Sequence, residues 1–273
     1  MSDEDKPKGR VLIIAGSDSG GGAGIQADIK TVMALGGYAT TAITAITAQD
    51  TTGVHGVWPV ALDAVEAQTR AVLADIGADS VKTGMLGSVA VIETIAEVLD
   101  EMAGEVLRVL DPVMVATSGD RLIEAKAVDV IVSLLVPDAA LVTPNAPEAE
   151  ILTGKAVDGV NGQRRAAEAL LNRGAKAALI KGGHIPGRVL FDVLQTQHGE
   201  WIFEDERIET SSTHGTGCTL ASAVAALIAQ GVDLPEAVER GRAYLRGAIL
   251  HAPGLGKGQG PLAHGWQLMR EQD

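Results

Sequence analysis

The amino-acid sequence predicts an α/β fold in which helices cover both faces of a mostly parallel β-sheet. Short apolar runs alternate with segments whose apolar residues recur every three or four positions, and turns rich in Gly, Asn or Asp separate them. With 273 residues, 46% of them hydrophobic, the chain can bury one large core. Since no change in composition divides it, we expect a polar tail over residues 1–9 and a single domain over 10–273.

The first three predicted elements are a strand, a helix and a second strand. Residues 11–15 form an apolar run that ends at Gly16, which is typical of a buried parallel strand. Residues 23–35 carry apolar side chains at helical spacing and stop at a Gly-Gly pair. Residues 38–46 are rich in Thr and Ile, which favour a strand. This order is that of a strand–helix–strand unit in a parallel sheet.

Capping residues locate the next helices. Asp63 and Glu66 mark the start of one helix, and Ser88 caps another. The short segment 80–82 and the mostly apolar segment 106–110 follow these helices and are predicted strands. Each strand therefore comes after a helix, as parallel connections require.

The second half of the chain continues the alternation and closes with two long helices. The further predicted strands are 140–143, 177–181 and 192–196, and the further predicted helices are 125–136, 146–153 and 160–173. Ligands of such sheets bind beyond the carboxyl ends of the strands. The loop 114–123 follows one of these ends and contains Ser118, Gly119 and Asp120, so it is either a mobile cover or a surface turn.

Charge and composition exclude several classes of function. The chain carries 35 acidic and 22 basic residues, a formal charge of −13, which repels nucleic acids and anionic membranes. Aromatic residues make up only 3%, too few for a base-stacking surface. Cys218 is the single cysteine, the N-terminus does not resemble a signal peptide, and no apolar segment reaches the length of a membrane span. We therefore expect a cytoplasmic enzyme that acts on small molecules.

The first glycine cluster, residues 15–31, does not fit the common nucleotide-binding loops. It lacks the Lys-Ser/Thr of a P-loop, and its G-x-G-x-x-A match begins six residues after Gly16, too far from the strand for a dinucleotide fingerprint. We interpret it as a glycine-lined wall against which a planar ligand lies. Asp28, on the following helix, faces either that ligand or solvent.

The second glycine cluster, residues 214–227, leads into a strongly apolar helix. Unpaired backbone N–H groups and the helix dipole make such an N-terminus an anion site, although an ordinary helix start has a similar pattern. Cys218 lies in the first turn, where we predict a thiol of lowered pKa that acts as base, nucleophile or hydrogen-bond partner. The alternative is a small buried hydrophobic residue.

Polar residues also follow two later strands. Asn145 and Glu148 are three residues apart at a helix start, so Glu148 either holds Mg²⁺ near a nucleotide phosphate or forms a capping pair with Asn145. Lys181 ends an apolar strand, where its ammonium either neutralises phosphate charge or reaches the surface. All three residues lie at the edge of the predicted sheet where a ligand is expected.

Seven segments, taken in chain order, resemble one family of kinases. They are AGSDSGGGAGIQADIKT (15–31), TAITAQD (44–50), VKTGML (81–86), LDPVMVATSG (110–119), TPNAPEAE (143–150), KGGH (181–184) and THGTGCT (213–219). Together they are similar to hydroxymethylpyrimidine/phosphomethylpyrimidine kinases over about residues 10–252. The resemblance implies a ribokinase-like three-layer α/β/α fold with a mostly parallel central sheet, and ATP and Mg²⁺ as cofactors. It also implies phosphorylation of 4-amino-5-hydroxymethyl-2-methylpyrimidine to its monophosphate and then to its diphosphate, in thiamine biosynthesis.

The resemblance also implies roles for individual residues. Those implied to line the pyrimidine pocket are Gly16, Asp28, Gln49, Met85 and Val113. Those implied to serve the phosphates are Asn145, Glu148 and Lys181, the last with a catalytic role, and the implied metal ligands are Glu148 and Asp111. Those implied to form the anion hole are Gly215, Thr216 and Gly217, and Cys218 takes the place of the catalytic Asp of related sugar kinases. The Gln49 amide suits an aminopyrimidine edge, as Gln suits adenine.

Two other functions stay open at this point. A pyridoxal kinase of the same fold, or a kinase of both alcohols, is the nearest alternative, although the main branch of pyridoxal kinases resembles GTGD where residues 215–218 are GTGC. A protein that binds a pyrimidine without phosphorylating it is the other, but it needs neither the anion hole nor the Asn145 and Glu148 pair. We expect a homodimer whose ligands are the pyrimidine, its phosphate and ATP, with no nucleic-acid or membrane partner.

Overall fold

The computed structural model describes residues 7–114, 122–124 and 126–269. Within these ranges the β-strands form one nine-stranded sheet. In chain order they are β1 (Arg10–Asp18), β2 (Tyr38–Asp50), β3 (Gly53–Pro59), β4 (Ser80–Thr83), β5 (Leu107–Leu110), β6 (Leu141–Val142), β7 (Ala177–Ile180), β8 (Val189–Thr196) and β9 (Glu200–Glu206). The strand order across the sheet is β3-β2-β1-β4-β5-β6-β7-β8-β9.

The helices connect the strands and cover the sheet. They are α1 (Gly24–Ala34), α2 (Leu62–Asp75), α3 (Val89–Met102), α4 (Ala127–Val130), α5 (Ala146–Thr153), α6 (Val160–Leu171), α7 (Thr216–Ala229), α8 (Leu234–Leu250) and α9 (Trp266–Met269). Helix α4 continues as a π-helical turn over Ile131–Leu135. None of the helices in the described ranges is long and apolar enough to cross a lipid bilayer.

The sheet is mostly parallel and is buried on both faces. Six neighbouring strands pair in parallel, in the order β2, β1, β4, β5, β6 and β7. At one edge β3 pairs antiparallel with β2, and at the other edge β8 pairs antiparallel with β7 and with β9. Along β1, Leu12 and Ile14 pack into a core with α2 to α6, while Val11 and Ile13 pack into a second core with α1, α7 and α8. Both sets are fully buried, because alternate side chains of a strand point to opposite faces. The predicted three-layer α/β/α fold is confirmed.

Most predicted elements are found close to their expected bounds. Helix α5 matches its prediction residue for residue, and the Ser88 side chain accepts a hydrogen bond from the Val91 N–H at the start of α3. Several strands are longer than predicted: β1 extends past Gly16 to Asp18, β2 extends to Asp50, β4 extends to Thr83 and β8 begins at Val189. The extra residues of β1 pair with Ile46 and Thr47 of β2, so pairing between strands lengthens both.

The two antiparallel edge strands were not predicted. In β3, Gly interrupts the pattern and most side chains are exposed, so no apolar run marks the strand. In β9 the side chains alternate between exposed and half-buried, with Trp201 and Phe203 inward, a period-two signal that was present in the sequence. The predicted cover at Ser118, Gly119 and Asp120 and most of the polar tail lie outside the described residues.

Candidate active site

A cavity of about 660 Å³ lies at the carboxyl ends of the parallel strands. Five neighbouring strands each contribute a lining residue at or just beyond their ends: Gly16 from β1, Lys82 from β4, Asp111 after β5, Asn145 after β6 and Lys181 after β7. The carboxyl ends of parallel strands meet at one edge, which is why residues so far apart in sequence converge. The predicted position of the ligand site is therefore a real cavity.

Twelve of the thirteen predicted site residues line this cavity. They are Gly16, Gln49, Met85, Asp111, Val113, Asn145, Glu148, Lys181, Gly215, Thr216, Gly217 and Cys218. Shared lining does not assign their roles, which stay predictions.

Asp28 is the exception, because it is fully buried beneath the cavity. Its carboxylate accepts hydrogen bonds from Lys82 Nζ at 3.0 and 3.1 Å and from Ser222 Oγ at 2.7 Å. The solvent alternative is therefore wrong, and Asp28 does not line the cavity, while the ligand contact that the resemblance implies stays a prediction. Asp28 lies three residues after Ile25 and four before Val32, both of which are buried on the inner face of α1, so helical spacing alone already indicated burial.

Lys82 was missed by the sequence analysis and is fully buried. Its ammonium lies between Asp28 and Asp111, 3.9 Å from Asp111 Oδ2, and Lys181 Nζ lies 3.4 Å from Asp111 Oδ1. Burial alone lowers the pKa of Lys82, but the carboxylates of Asp28 and Asp111 more than offset it, so the net shift is upward. Four buried charges of alternating sign therefore lie side by side under the cavity.

The N-terminus of α7 has the backbone geometry that the predicted anion hole requires. Gly215 adopts φ +82°, and a Cβ there would lie 1.9 Å from the Gly22 carbonyl oxygen, so only glycine fits. The Thr219 N–H bonds back to Gly215, which leaves the N–H groups of Gly217 and Cys218 in the first turn without a place in the helical ladder. A Cβ on Gly217 would lie 3.3 Å from Lys181 Nζ, so the lysine stands directly beside these donors.

The chain is similar in sequence to a known family of kinases. The sequence profile of the family described as phosphomethylpyrimidine kinase matches residues 18–263. The chain belongs to this family. A hydroxymethylpyrimidine/phosphomethylpyrimidine kinase from Streptomyces coelicolor is 48% identical over 259 residues, covering 94% of this chain and 95% of that protein. The predicted family is confirmed, and so is the prediction that the protein is a kinase.

Solved structures support the same fold. The ADP complex of Bacillus subtilis pyridoxal kinase superposes with a TM-score of 0.89 at 35% identity, covering 96% of this chain and 99% of that one. A phosphomethylpyrimidine kinase from Clostridium difficile 630 superposes with a TM-score of 0.79 at 39% identity, covering 89% and 100%. The ribokinase-like fold of this kinase is thereby confirmed.

Cys218 does not have the lowered pKa that its helix position predicted. Burial raises the pKa of the thiol to about 12; Lys82 opposes the shift, while Asp28 and Asp111 add to it. A helix N-terminus is worth only about 0.3–1 kcal/mol, too little to reverse burial among carboxylates. The Sγ atom accepts a hydrogen bond from the Gly24 N–H, so the N-termini of α1 and α7 meet at this residue. At neutral pH the thiol is protonated.

Asn145 and Glu148 form a capping box at the start of α5. Asn145 Oδ1 accepts from the Glu148 N–H at 2.9 Å, and Glu148 Oε2 accepts from the Asn145 N–H at 2.8 Å. Burial raises the pKa of Glu148 to about 7, despite the attraction of Lys181. Lys181 is protonated, because Asp111 and Glu148 raise its pKa more than burial lowers it, and its side chain is only 12% exposed. The surface alternative for Lys181 is therefore wrong.

The glycine-lined wall of the first cluster packs mainly against the protein itself. A Cβ on Gly22 would lie 2.4 Å from the imidazole of His214, and one on Gly24 would lie 2.4 Å from the Gly16 carbonyl oxygen. Gly16 and Gly24 do line the cavity, whereas Gly22 provides the seat for His214. The planar group that packs against Gly22 is thus the imidazole of His214.

A second group of cavity residues outside the predicted set shapes the segment after Lys181. Arg207 donates hydrogen bonds to the carbonyl oxygens of Gly183, Ile185 and Gly187. Asp192 accepts from the Gly182 N–H at 2.7 Å and from Arg242 Nε at 2.7 Å. These bonds hold in place the segment that follows Lys181.

Replacing Asp28 with Asn tests whether it is structural. The substitution leaves the buried Lys82 ammonium without its partner, and breaking a buried ion pair costs about 3–5 kcal/mol, so we expect the free energy of unfolding to fall by that amount. Chemical denaturation measures it. The control is Asp75→Asn, at the exposed end of α2, which should change stability by less than about 0.5 kcal/mol. Equal stabilities, combined with weaker pyrimidine binding in Asp28→Asn, would return Asp28 to the ligand site.

Proposed function

We propose that this kinase transfers the γ-phosphoryl group of ATP to the hydroxymethyl oxygen of 4-amino-5-hydroxymethyl-2-methylpyrimidine and then phosphorylates the monophosphate to the diphosphate, in thiamine biosynthesis. One observation carries the proposal: the anion hole of α7, with Lys181 beside it, opens into the same cavity as the Gln49 amide. A phosphoryl site and a group suited to an aminopyrimidine edge therefore share one space.

The first transfer is a direct displacement at phosphorus. The hydroxymethyl oxygen forms a bond to the γ-phosphorus while the bond from that phosphorus to the bridging oxygen breaks, which releases ADP and the proton of the alcohol. The N–H groups of Gly217 and Cys218 and the Lys181 ammonium stabilise the charge on the transferred group. In the second transfer a phosphate oxygen of the monophosphate is the nucleophile, and the same donors act.

The residues in the cavity fit Mg²⁺. Among the described residues, Asp111 Oδ2 is a buried carboxylate oxygen without a hydrogen-bond partner, and no three acidic, His or Cys side chains form a complete metal cage. Mg²⁺ usually takes one or two carboxylates and fills its shell with phosphate oxygens and water. Asp111 and Glu148 would hold it here, and the ion would neutralise phosphate charge. The expected cytoplasmic location and the homodimer stay predictions.

Pyridoxal is the second candidate substrate, because the pyridoxal kinase from Bacillus subtilis superposes on the whole chain. We expect the pyrimidine alcohol to have a kcat/KM at least about tenfold above that of pyridoxal, since losing a matched buried hydrogen-bond pair costs about 1–3 kcal/mol. A coupled assay of ADP release with both alcohols measures the ratio. Equal values would identify a kinase of both alcohols, and inverted values would identify a pyridoxal kinase. Gln49→Leu should raise the KM for the pyrimidine and leave the KM for ATP unchanged.

Glu148 makes the Mg²⁺ requirement depend on pH. Metal binding needs the ionised carboxylate, and the pKa of Glu148 is about 7, so we expect the Mg²⁺ concentration at half-maximal rate to rise as the pH falls from 8 to 6. Magnesium titrations at several pH values measure this. Glu148→Gln should need more Mg²⁺ and lose the pH dependence, while Glu150→Gln, on the exposed side of α5, should behave as wild type. Identical titrations for wild type and Glu148→Gln would leave Glu148 as a cap only.

Cys218 is expected to act through its backbone rather than as a base. Ionising a thiol of pKa about 12 at pH 7 costs about 7 kcal/mol, whereas general-base catalysis is worth about 10²–10⁴ in rate, or about 3–5 kcal/mol. Cys218→Ala keeps the N–H donors of the anion hole. We therefore expect this variant to keep more than about a tenth of the wild-type kcat in steady-state assays. A folded variant that loses about a hundredfold or more would restore the thiolate-base hypothesis.

A further inference from the structure

The Gln49 amide lies between two groups whose hydrogen-bonding chemistry is fixed. In the structure, Gln49 Oε1 is 3.2 Å from Thr47 Oγ1, and Gln49 Nε2 is 3.4 Å from His214 Nε2. An amide oxygen only accepts hydrogen bonds and an amide nitrogen only donates them. Which end of the amide should face each neighbour therefore depends on whether Thr47 and His214 donate or accept a hydrogen bond.

The contact with Asp18 determines whether His214 Nε2 donates or accepts a hydrogen bond. The Asp18 carboxylate lies 2.8 Å from His214 Nε2 and also accepts from the N–H groups of Gly20, Gly22 and Ala23. Burial raises the pKa of Asp18, but the hydrogen bonds from His214 and from the backbone outweigh burial, so the pKa lies below its ordinary value and Asp18 is ionised. A carboxylate cannot donate, so the proton of this contact belongs to His214 Nε2.

The contact with Thr47, at the other end of the amide, favours the same orientation of Gln49. The Thr47 hydroxyl has one proton for two acceptors, the Ser17 carbonyl oxygen at 3.0 Å and Gln49 Oε1 at 3.2 Å, and the shorter contact to Ser17 takes it. Only lone pairs then face Gln49. With Oε1 toward Thr47 and Nε2 toward His214, an acceptor meets an acceptor and a donor meets a donor, and a half-turn of the amide corrects both contacts at once.

We propose that His214 is a specificity-determining positioning residue. Its Nε2 proton, shared between ionised Asp18 and Gln49 in a three-centre hydrogen bond, holds the Gln49 amide with the oxygen toward His214 and the nitrogen toward Thr47. The second amide N–H and the second lone pair of the oxygen then face the cavity in a fixed order. This inference rests on the proposed function, because an aminopyrimidine edge pairs an amino donor with a ring-nitrogen acceptor, and pyridoxal lacks that adjacent pair.

The surroundings of His214 fit this role. The imidazole is 6% exposed and seated against Gly22, where no side chain would fit. Its backbone N–H donates to the Gly260 carbonyl oxygen at 3.1 Å, and residues 257–259 are tied to Thr51, just beyond Gln49. The ring is thus held from both sides while Nε2 stays directed at Asp18 and Gln49.

Two substitutions of His214 separate positioning from support of the fold. His214→Leu removes the donor, and we expect the KM for the pyrimidine to rise at least tenfold while kcat and the KM for ATP change less than threefold. His214→Gln places an amide N–H near the position of Nε2 and should restore the KM to within threefold of wild type. His264→Gln is the matched control, since His264 is equally buried and pairs with Thr219 away from the cavity, and it should leave both KM values unchanged. An unchanged pyrimidine KM in His214→Leu, or parallel losses in both KM values, would overturn the proposal.

A spectroscopic measurement on the unsubstituted kinase tests the proton directly. Long-range ¹H–¹⁵N correlation spectra distinguish the two ring nitrogens of the 6 histidines, and His214→Gln identifies the signals of His214. We expect Nε2 to carry a proton at pH 7. A neutral ring protonated only at Nδ1 would overturn the inference even if the pyrimidine is phosphorylated. Protonated Nε2 in a protein that does not phosphorylate the pyrimidine would instead overturn the proposed function alone.

Discussion

A row of buried charges across the ends of the central strands is the constraint on which the site depends. Asp28, Lys82, Asp111 and Lys181 alternate in sign, with contacts of 3.0, 3.9 and 3.4 Å between neighbours. Each charge is acceptable in a buried place only because the next one has the opposite sign. The row also keeps Lys181 charged beside the N-terminus of α7, so the stability of the fold and the attraction for phosphate come from the same contacts.

The fold assembles this row through the register of its parallel strands. Lys82 of β4 pairs with Val109 of β5, which places it beside the residue that lies two positions before Asp111. Helix α1 packs over the same sheet and brings Asp28 to Lys82, while α7 brings Cys218 and its N–H groups above them. The polar half of the cavity is thus fixed by the core, whereas Gln49 and His214 are held by loops and by the edge of the sheet.

Much of this could be predicted from the sequence, and the failures have physical reasons. The cap at Asn145 and the alternation of strands and helices along the chain follow from local patterns, and both are found. Lys82 lies in a strand of four residues, and its partner is 54 positions away, so no local pattern shows that it is buried and paired. The predicted lowering of the Cys218 pKa was wrong because the prediction considered the helix N-terminus alone. The burial that raises this pKa is visible only in the packed structure.

We propose that one cavity carries out two successive phosphorylations of a pyrimidine alcohol. A ³¹P NMR time course of the kinase with ATP, Mg²⁺ and 4-amino-5-hydroxymethyl-2-methylpyrimidine follows both steps, because every phosphorus species is seen at once. We expect a phosphate monoester signal to grow as ADP appears and then to decline while the paired signals of an organic diphosphate emerge. ADP together with inorganic phosphate alone, or a monoester that forms only when pyridoxal replaces the pyrimidine, would show that the kinase does not phosphorylate this alcohol.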